Sequence, residues 1–227
     1  MPSSKTTVSA MPLALDRELL KERAYRELKE LIQSGELPPH EALSERQLAE
    51  RLGMSKTPIR AALGVLEVQG LVFVSSQRGI FVRELTAREI NELFETRIAI
   101  EPFVVRQLAK RRWTPEQRAA LNENLLRQRA AAKQEDALSS TKLDIEFHLL
   151  LLGVLDNREM IAWSECCFDK LHRSVLHINQ AVPGRLLKSW KDHAAIAAAI
   201  LKGNPAQAVS RVIEHLNYGR QFLLGLG

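Results

Sequence analysis

Strand-forming residues are concentrated at one place in this 227-residue chain. The short β-prone runs 71–74 (LVFV) and 80–82 (IFV) flank the segment SSQRG, a pattern typical of a β-hairpin. From Thr86 onward the sequence contains no further convincing strand pattern. A chain with a single hairpin cannot build a large sheet, so the fold is predicted to be mainly α-helical.

Three helices are predicted before the hairpin. The first covers residues 19–34, where apolar residues recur at helical spacing. Ser44 can cap a second helix that ends at about Leu52. Ser55 can cap a third helix that runs toward Gly70. Helix, helix, turn, helix and hairpin is the order of a winged helix-turn-helix, so this fold is expected for residues 15–83.

The predicted helix-turn-helix suggests which residues meet DNA. The amino-terminal end of its second helix enters the major groove, where short polar and long basic side chains reach bases and phosphates. A glycine at the hairpin tip allows close backbone approach to phosphates or the minor groove. Any one of these residues alone would more often be merely solvent-facing, and only their arrangement favours DNA binding. The candidates are Arg46, Ser55, Lys56, Thr57, Arg60, Arg78 and Gly79.

Composition narrows the class of protein. A net charge of +5 and a pI of about 9.4 permit nucleic-acid binding without requiring it. The two cysteines, Cys166 and Cys167, are adjacent, which suits neither a long-range disulfide nor a zinc site and favours a reducing compartment. Residues 1–14 are expected to be a flexible tail, since they lack the pattern of a signal peptide. A cytoplasmic protein with no membrane partner is expected.

The second half of the chain, residues 84–227, is predicted to be an all-helical bundle. Thr86 can cap a helix that reaches about Arg112, and Thr114 with Pro115 opens the next helix. Further helices are predicted at about 141–155, 158–179, 185–202 and 205–224. The boundary between the two halves is expected near residues 83–87.

The histidines of the helical half raise the possibility of a metal site. A lone histidine on an apolar helix face is usually a hydrogen-bonded core residue, so His172 and His177 of this half, like His40 of the first half, are not chosen as ligands. His148 differs, because Asp144 precedes it by one helical turn, and a carboxylate and an imidazole at that spacing can bind one ion.

Two more histidines are expected to lie beside this pair. His193 is ten residues before Gly203 and His215 is ten residues after Pro205, so two antiparallel helices would bring the imidazoles level. Such ligands suit Zn²⁺, Ni²⁺ or Mn²⁺, of which Zn²⁺ is the first expectation, although the ligand type alone does not choose among them. The candidate metal ligands are Asp144, His148, His193 and His215.

The first half resembles a known DNA-binding domain. Residues 25–82 contain YRELKELIQSGELPP, LSERQLAERLGMSKTPIRAAL and GLVFVSSQRGIFV, and they are similar to the GntR family of bacterial transcription regulators. The resemblance implies that Arg46, Ser55, Lys56, Thr57, Arg60 and Gly79 contact operator DNA. Three residues depart from the family pattern, namely His40 for glycine, Lys56 for arginine and Ala61 for glutamate. Lysine lacks the two-pronged geometry that reads guanine, so the base preference at Lys56 stays open.

The second half resembles the helical effector domain of FadR-type GntR regulators, the FCD class. The matching motifs are ELFETRIAIEPFVVRQLAKRRWT, LDIEFHLLLL, DHAAIAAAILKGNPAQAV and IEHL. The resemblance implies that the aspartate and three histidines bind a metal, which usually keeps positions open for a small carboxylate effector. Arg97 matches an arginine that often holds the effector, and the alternative is a salt bridge to Glu101 one turn away. Arg173 is a second effector candidate.

These expectations combine into a function. The resemblance implies a homodimeric transcription regulator, more often a repressor, that binds a near-palindromic operator in double-stranded DNA and responds to a small carboxylate. A metal-dependent hydrolase or lyase is the alternative in chemical terms, because histidine and aspartate around an ion can activate water. No general base accompanies the four ligands, however, and an enzyme would not explain the DNA-reading motif. A pure metal sensor is a third possibility. No enzyme activity is expected.

Overall fold

The computed structural model describes residues 11–75 and 78–225, with side chains from residue 19 onward. Within these residues the chain forms nine α-helices and one two-stranded sheet, which confirms the mainly α-helical fold class. The contacts divide the chain into two compact units with their boundary between Arg83 and Glu84. Most of the expected tail, residues 1–10, lies outside the described residues. Residues 11–14, also assigned to that tail, instead begin the first helix.

The first unit contains three helices and the hairpin. Its elements are α1 (Met11–Gln33), α2 (Glu45–Leu52), α3 (Lys56–Val68), β1 (Val72–Ser75) and β2 (Gly79–Val82). The Ser44 hydroxyl accepts the Gln47 backbone N–H, and the Gln47 side chain accepts the Ser44 backbone N–H, so α2 begins with a capping box. Ser55 occupies the cap position of α3, but its side chain makes no capping hydrogen bond, contrary to expectation.

The core of the first unit lies between α1 and α3. Ala24 and Leu28 of α1 are buried, as are Ile59 and Leu66 of α3. Leu20 belongs to the same predicted apolar stripe, yet 42% of its surface is exposed. This core fixes which face of α3 is left for solvent.

The hairpin packs against the loop that precedes α2. Strands β1 and β2 are antiparallel, with Val72 opposite Val82. Leu43 and Ile80 exchange two backbone hydrogen bonds of 2.8 Å. Gly79 has a φ of +102°, and a Cβ at this position would lie 2.8 Å from the Leu43 carbonyl oxygen. Glycine is therefore required here by the fold, whether or not it also meets DNA.

The second unit contains six helices. They are α4 (Ala87–Leu108), α5 (Pro115–Lys133), α6 (Ala137–Leu155), α7 (Arg158–Ala181), α8 (Arg185–Leu201) and α9 (Pro205–Leu223). Capping boxes at Thr86 and Thr114 begin α4 and α5, as the sequence predicts. Helix α6 begins one turn earlier than expected, because Asp136 caps it by accepting the Ser139 backbone N–H. Helix α4 ends at Leu108 rather than near Arg112.

Helix α6 runs through the middle of the second unit. Its residues Phe147, Leu151 and Leu152 belong to one buried apolar cluster to which α4, α8 and α9 also contribute. Pro102 lies inside α4, which continues for six more residues. None of the helices in the described part of the chain combines the length and apolar character that a membrane span needs. The apolar interior surrounds the polar residues from which the candidate site is built.

Candidate functional site

The predicted DNA-contacting residues lie at the surface of the first unit. Ser55, Lys56, Thr57 and Arg60 are exposed at the start of α3, whereas Pro58 and Ile59 between them are buried. Arg46 in α2 and Arg78 beside β2 are exposed as well, and Gly79 is half-buried. The alternation arises because α3 turns one face to the core and leaves the other to solvent. The exposed basic side chains are therefore available to a polyanionic partner.

Arg60 has a partner that the sequence patterns do not indicate. Its Nε donates to Glu45 Oε1 at 2.8 Å, and its Nη2 donates to Glu45 Oε2 at 2.7 Å. The hydrogen bond from Arg60 is the main cause that lowers the pKa of Glu45. This two-pronged pair orients the guanidinium and leaves Nη1 as its nitrogen without a bond to Glu45.

The four candidate metal ligands converge in the second unit. Their ligand atoms all lie within 4.8 Å of one another. His193 Nε2 lies 3.2 Å from His215 Nε2 and 3.5 Å from Asp144 Oδ1. His148 Nε2 lies 4.0 Å from Asp144 Oδ2. Ligands bound tetrahedrally at about 2.0–2.1 Å would be separated by roughly 3.4 Å, so a modest contraction would suit a metal ion.

The other ring nitrogen of each histidine faces an oxygen atom. His193 Nδ1 lies 2.8 Å from Gln128 Oε1, and His148 Nδ1 lies 2.7 Å from Glu101 Oε2, although the latter contact is not aligned as a hydrogen bond. His215 Nδ1 lies 3.7 Å from Asp192 Oδ2. Oxygen atoms at Nδ1 favour the tautomer whose Nε2 lone pair is free, which is the form that binds metal.

A polar network behind His193 fixes this orientation. Gln128 Nε2 donates to Asn124 Oδ1 at 2.6 Å, which leaves Gln128 Oε1 to accept from the His193 ring. Asn124 Nδ2 donates to the Leu143 carbonyl oxygen at 3.2 Å. Asn124 and Gln128 are one turn apart on α5 and buried, a polar interruption of a helix face that could have indicated them from sequence.

Burial and neighbouring charge set the protonation of the site. Burial opposes the charge of Asp144, but the three histidines and Arg97 outweigh it and hold the pKa of Asp144 well below its usual range. Burial, helped by His215, holds the pKa of His193 well below its usual range. An ionised carboxylate and a neutral imidazole are the forms that bind metal.

The four side chains offer the ligand atoms that a divalent ion binds. His148 Nε2 is buried and has no hydrogen-bond partner among the described residues. Leaving such a nitrogen unpaired costs free energy, which a bound cation would recover. Three imidazole nitrogens and one carboxylate suit Zn²⁺, Ni²⁺ or Mn²⁺. The residues therefore fit the ion.

Arg97 forms the salt bridge to Glu101 that the sequence offered as the alternative to an effector contact. Its Nε donates to Glu101 Oε1 at 2.6 Å, and both side chains are buried. Burial opposes the charge of Glu101, but Arg97 and His148 lower the pKa of Glu101 to about 2. Arg97 Nη2 is buried without a hydrogen-bond partner, and the guanidinium lies 4.8 Å from the ring centre of Phe168, which stacks on His148. The salt bridge therefore leaves one nitrogen for another acceptor.

The remaining candidates do not belong to the cluster of four candidate ligands. Arg173 of α7 is partly buried, which lowers its pKa against the influence of Glu84, and it makes no ion pair with the described residues of the metal cluster. Its effector role stays a prediction. His172 is buried and His177 is exposed on α7, whereas His40 precedes α2 with a φ of +67°. None of these three histidines belongs to the cluster.

Comparison with known proteins supports the domain assignment of both halves of the chain. Residues 20–82 match the model of bacterial regulatory proteins of the gntR family, and residues 92–218 match the FCD domain. An uncharacterized HTH-type transcriptional regulator of Mycobacterium tuberculosis, Rv0494, is 30% identical, with 95% of this chain and 93% of that protein covered. The HTH-type transcriptional repressor RspR of Escherichia coli is 31% identical, with 63% of this chain and 62% of that protein covered.

A solved structure shares the fold. The structure of E. coli McbR/YncC has a TM-score of 0.79 and 23% identity, with 90% of this chain and 96% of that chain covered. The matched proteins and domains are transcription regulators, not enzymes, and the helix-turn-helix implies DNA binding. The chain belongs to the gntR family of bacterial regulatory proteins and carries an FCD domain, as in FadR-type regulators.

Proposed function

We propose that the protein is a repressor whose affinity for its operator is controlled by a small carboxylate bound beside a divalent metal ion. The observation that carries this proposal is the convergence of Asp144, His148, His193 and His215, with the free Nη2 of Arg97 on the same buried network. A metal in this group supplies a Lewis acid that attracts an anion. Arg97 adds a fixed donor for the same anion.

The DNA-reading half of the proposal rests on the exposed face of α3. Lys56, Thr57 and Arg60 would contact bases and phosphates in the major groove, and Arg78 would reach the flanking backbone. A homodimer would present two such helices to half-sites about 34–36 Å apart. The relative RspR is a transcriptional repressor, which supports repression rather than activation for this protein. Operator DNA in bacteria lies in the cytoplasm, which is therefore the proposed location.

Helix α4 offers a physical route between ligand and DNA. It carries Arg97 and Glu101, and it begins at Ala87, directly after the boundary of the DNA-reading unit. A carboxylate effector that accepts a hydrogen bond from Arg97 Nη2 would give α4 a contact that the effector-free protein lacks. Such a differential contact can shift α4 and so change the operator affinity.

The metal site is tested by removing two ligands. Asp144→Ala with His148→Ala should abolish bound metal in elemental analysis of the purified protein, with Zn²⁺ the expected ion in the wild type. His177→Ala, on the exposed side of α7, is the matched control and should retain the metal. One metal per chain in the double variant would contradict the assignment.

The effector site is tested by a thermal-shift screen of small carboxylates with and without Zn²⁺ or Ni²⁺. A ligand that binds only the folded state raises Tm, by the equivalent of about 2.7 kcal/mol at one hundred times its Kd. Arg97→Lys keeps the charge facing Glu101 but removes the planar fork, so it should lose the response to carboxylate and keep that to metal. A protein whose operator binding follows metal alone would instead be a metal sensor.

A further inference from the structure

A cavity whose lining contains neither Arg97 nor Glu101 opens near the candidate metal ligands. It has a volume of about 630 Å³ and lies between the α5–α6 connection and the α7–α8 connection. A much smaller cavity of about 10 Å³, roughly the space of one water molecule, lies beside Asp144 and Ser189. Asn179 and Leu186 line both cavities. These two side chains are therefore the partition between the larger cavity and the cluster.

Asp144 is the ligand that a solute would meet first from this direction. Its side chain is 18% exposed, whereas those of His148, His193 and His215 are 1%, 0% and 9% exposed. Ser189 Oγ donates to Asp144 Oδ1 at 2.8 Å, which holds the carboxylate at the small cavity. An ion arriving here would bind the carboxylate before it reached the deeper imidazoles.

The charge of the larger cavity selects cations. Glu135 and Asp136 contribute to its lining, which contains no lysine, arginine or histidine. Hydrogen bonds with Ser139 lower the pKa of Asp136, so its carboxylate stays ionised at neutral pH. Two carboxylates at a cavity mouth raise the local concentration of a divalent cation and repel a carboxylate anion.

We propose that the two cavities form the path by which the divalent ion reaches its site. In this path, which rests on the proposed metal-dependent function, Glu135 and Asp136 attract the ion at the mouth. Leu186 and Asn179 form the gate, and Asp144 is the first ligand to bind. Asn179 is held by its Nδ2, which donates to Thr141 Oγ1 at 2.9 Å, so rotation of the Leu186 side chain is the motion that opens the gate. The carboxylate effector does not use this mouth.

The mouth is tested by stopped-flow uptake of Co²⁺ by the metal-free full-length protein, followed by the visible absorption of bound Co²⁺. Glu135→Gln with Asp136→Asn removes two charges, and asparagine preserves the cap of α6. The association rate should fall about 3- to 10-fold and lose much of its dependence on ionic strength. Glu159→Gln with Glu165→Gln is the matched control, since Glu165 lies about 21 Å along α7 from Asn179.

The gate is tested by Leu186→Trp, which should slow both Co²⁺ uptake and Co²⁺ release to an external chelator by the same factor. The Kd would then be unchanged, as is required of a barrier on the path. Leu126→Trp, at an exposed position on α5, should leave both rates unchanged.

Three results would overturn the proposal. If Glu135→Gln with Asp136→Asn takes up Co²⁺ at the wild-type rate, these carboxylates do not attract the ion. An equal decrease in the Glu159→Gln with Glu165→Gln control would show that only the net charge of the protein matters. A change in Kd without a matching change in both rates would exclude a gate at Leu186. Failure of the wild-type protein to bind Co²⁺ would instead contradict the metal site itself, and with it the proposed function.

Discussion

Two arginine–glutamate pairs, one in each unit, have similar lengths and opposite surroundings. Arg60 Nη2 lies 2.7 Å from Glu45 Oε2, and the two side chains are 73% and 29% exposed. Arg97 Nε lies 2.6 Å from Glu101 Oε1, and these side chains are 6% and 7% exposed. Water and salt screen the first pair, whereas burial removes that screening from the second. The same chemistry can therefore orient a candidate DNA-contacting side chain at the surface of one unit and join two buried side chains in the interior of the other.

The largest effect is expected from breaking the buried pair. Glu101→Leu leaves the Arg97 guanidinium buried without a counter-charge, so the free energy of unfolding of the helical unit should fall by about 3–5 kcal/mol. Urea denaturation followed by circular dichroism measures this change. Glu92→Leu, which breaks the exposed Arg88–Glu92 pair on the same helix, is the control and should change stability little.

A double replacement shows whether the loss of stability arises from the unpaired charge or from the changed packing. Arg97→Met with Glu101→Leu removes both charges and keeps apolar volume, so it should recover most of the stability that Glu101→Leu loses. If the double variant is as unstable as the single one, the loss arises from shape or from the contact with His148 rather than from the unpaired arginine.

The exposed Arg60–Glu45 pair should matter for DNA binding and not for stability. Arg60→Ala is expected to raise the Kd for operator DNA by about 10- to 100-fold, because it removes a cation and its hydrogen bonds from the major-groove face. Its thermal unfolding should match the wild type. Fluorescence anisotropy with a duplex selected from a random pool by the wild-type protein measures the Kd. Arg23→Ala, which breaks an exposed pair on α1, is the control.

A smaller effect is expected from Glu45. Glu45→Gln keeps one acceptor oxygen but loses the other, which breaks the two-pronged pair with Arg60, and it removes a negative charge near the DNA phosphates, so binding to non-specific DNA should tighten by about 2- to 5-fold. The preference for the selected duplex should decrease, because the guanidinium loses its fixed orientation. Glu50→Gln, beside Arg46 on the same helix, tests whether any lost carboxylate has this effect. An unchanged ratio of specific to non-specific Kd would count against the orienting role.

The smallest effect concerns the two adjacent cysteines of α7. Burial raises the pKa of the Cys167 thiol to about 12, so at pH 8 it remains protonated and unreactive. Cys166 is half-buried. Iodoacetamide should therefore modify one thiol per native chain and two in denaturant, as counted by mass spectrometry. Modification of Cys167 in the native protein would show that the interior beside Arg97 opens more readily than its burial implies.

Local patterns predicted most of the elements. Short β-prone runs around SSQRG predicted β1 and β2, the cap residue Thr86 predicted the start of α4, and Thr114 with Pro115 predicted the start of α5. Helix α6 begins at Ala137, before the predicted start near Thr141, because Asp136 caps it. Such signals act within one helical turn, where the sequence itself determines which atoms meet.

Long-range contacts were harder to predict. The turn around Gly203 places α8 and α9 side by side, so the approach of His193 to His215 followed from counting residues. The approach of Glu101 to His148 depends on how α4 packs against α6, and no spacing rule joins residues so distant in the chain. The pairing of Glu45 with Arg60 likewise depends on the angle between α2 and α3. Packing angles arise from many side chains together, which a periodic pattern does not encode.

The order of the four candidate ligands along the chain would have a consequence for turnover of the protein. Asp144 and His215 belong to helices separated in sequence by α7 and α8, so an ion bound to both would act as a removable cross-link. Because the site forms only when these helices are packed, the ion would bind the folded chain alone and stabilise it by mass action. Proteases degrade chains that open, so cells short of the metal would clear this regulator sooner than cells that supply it. The amount of the protein, and not only its activity, would then follow the metal supply.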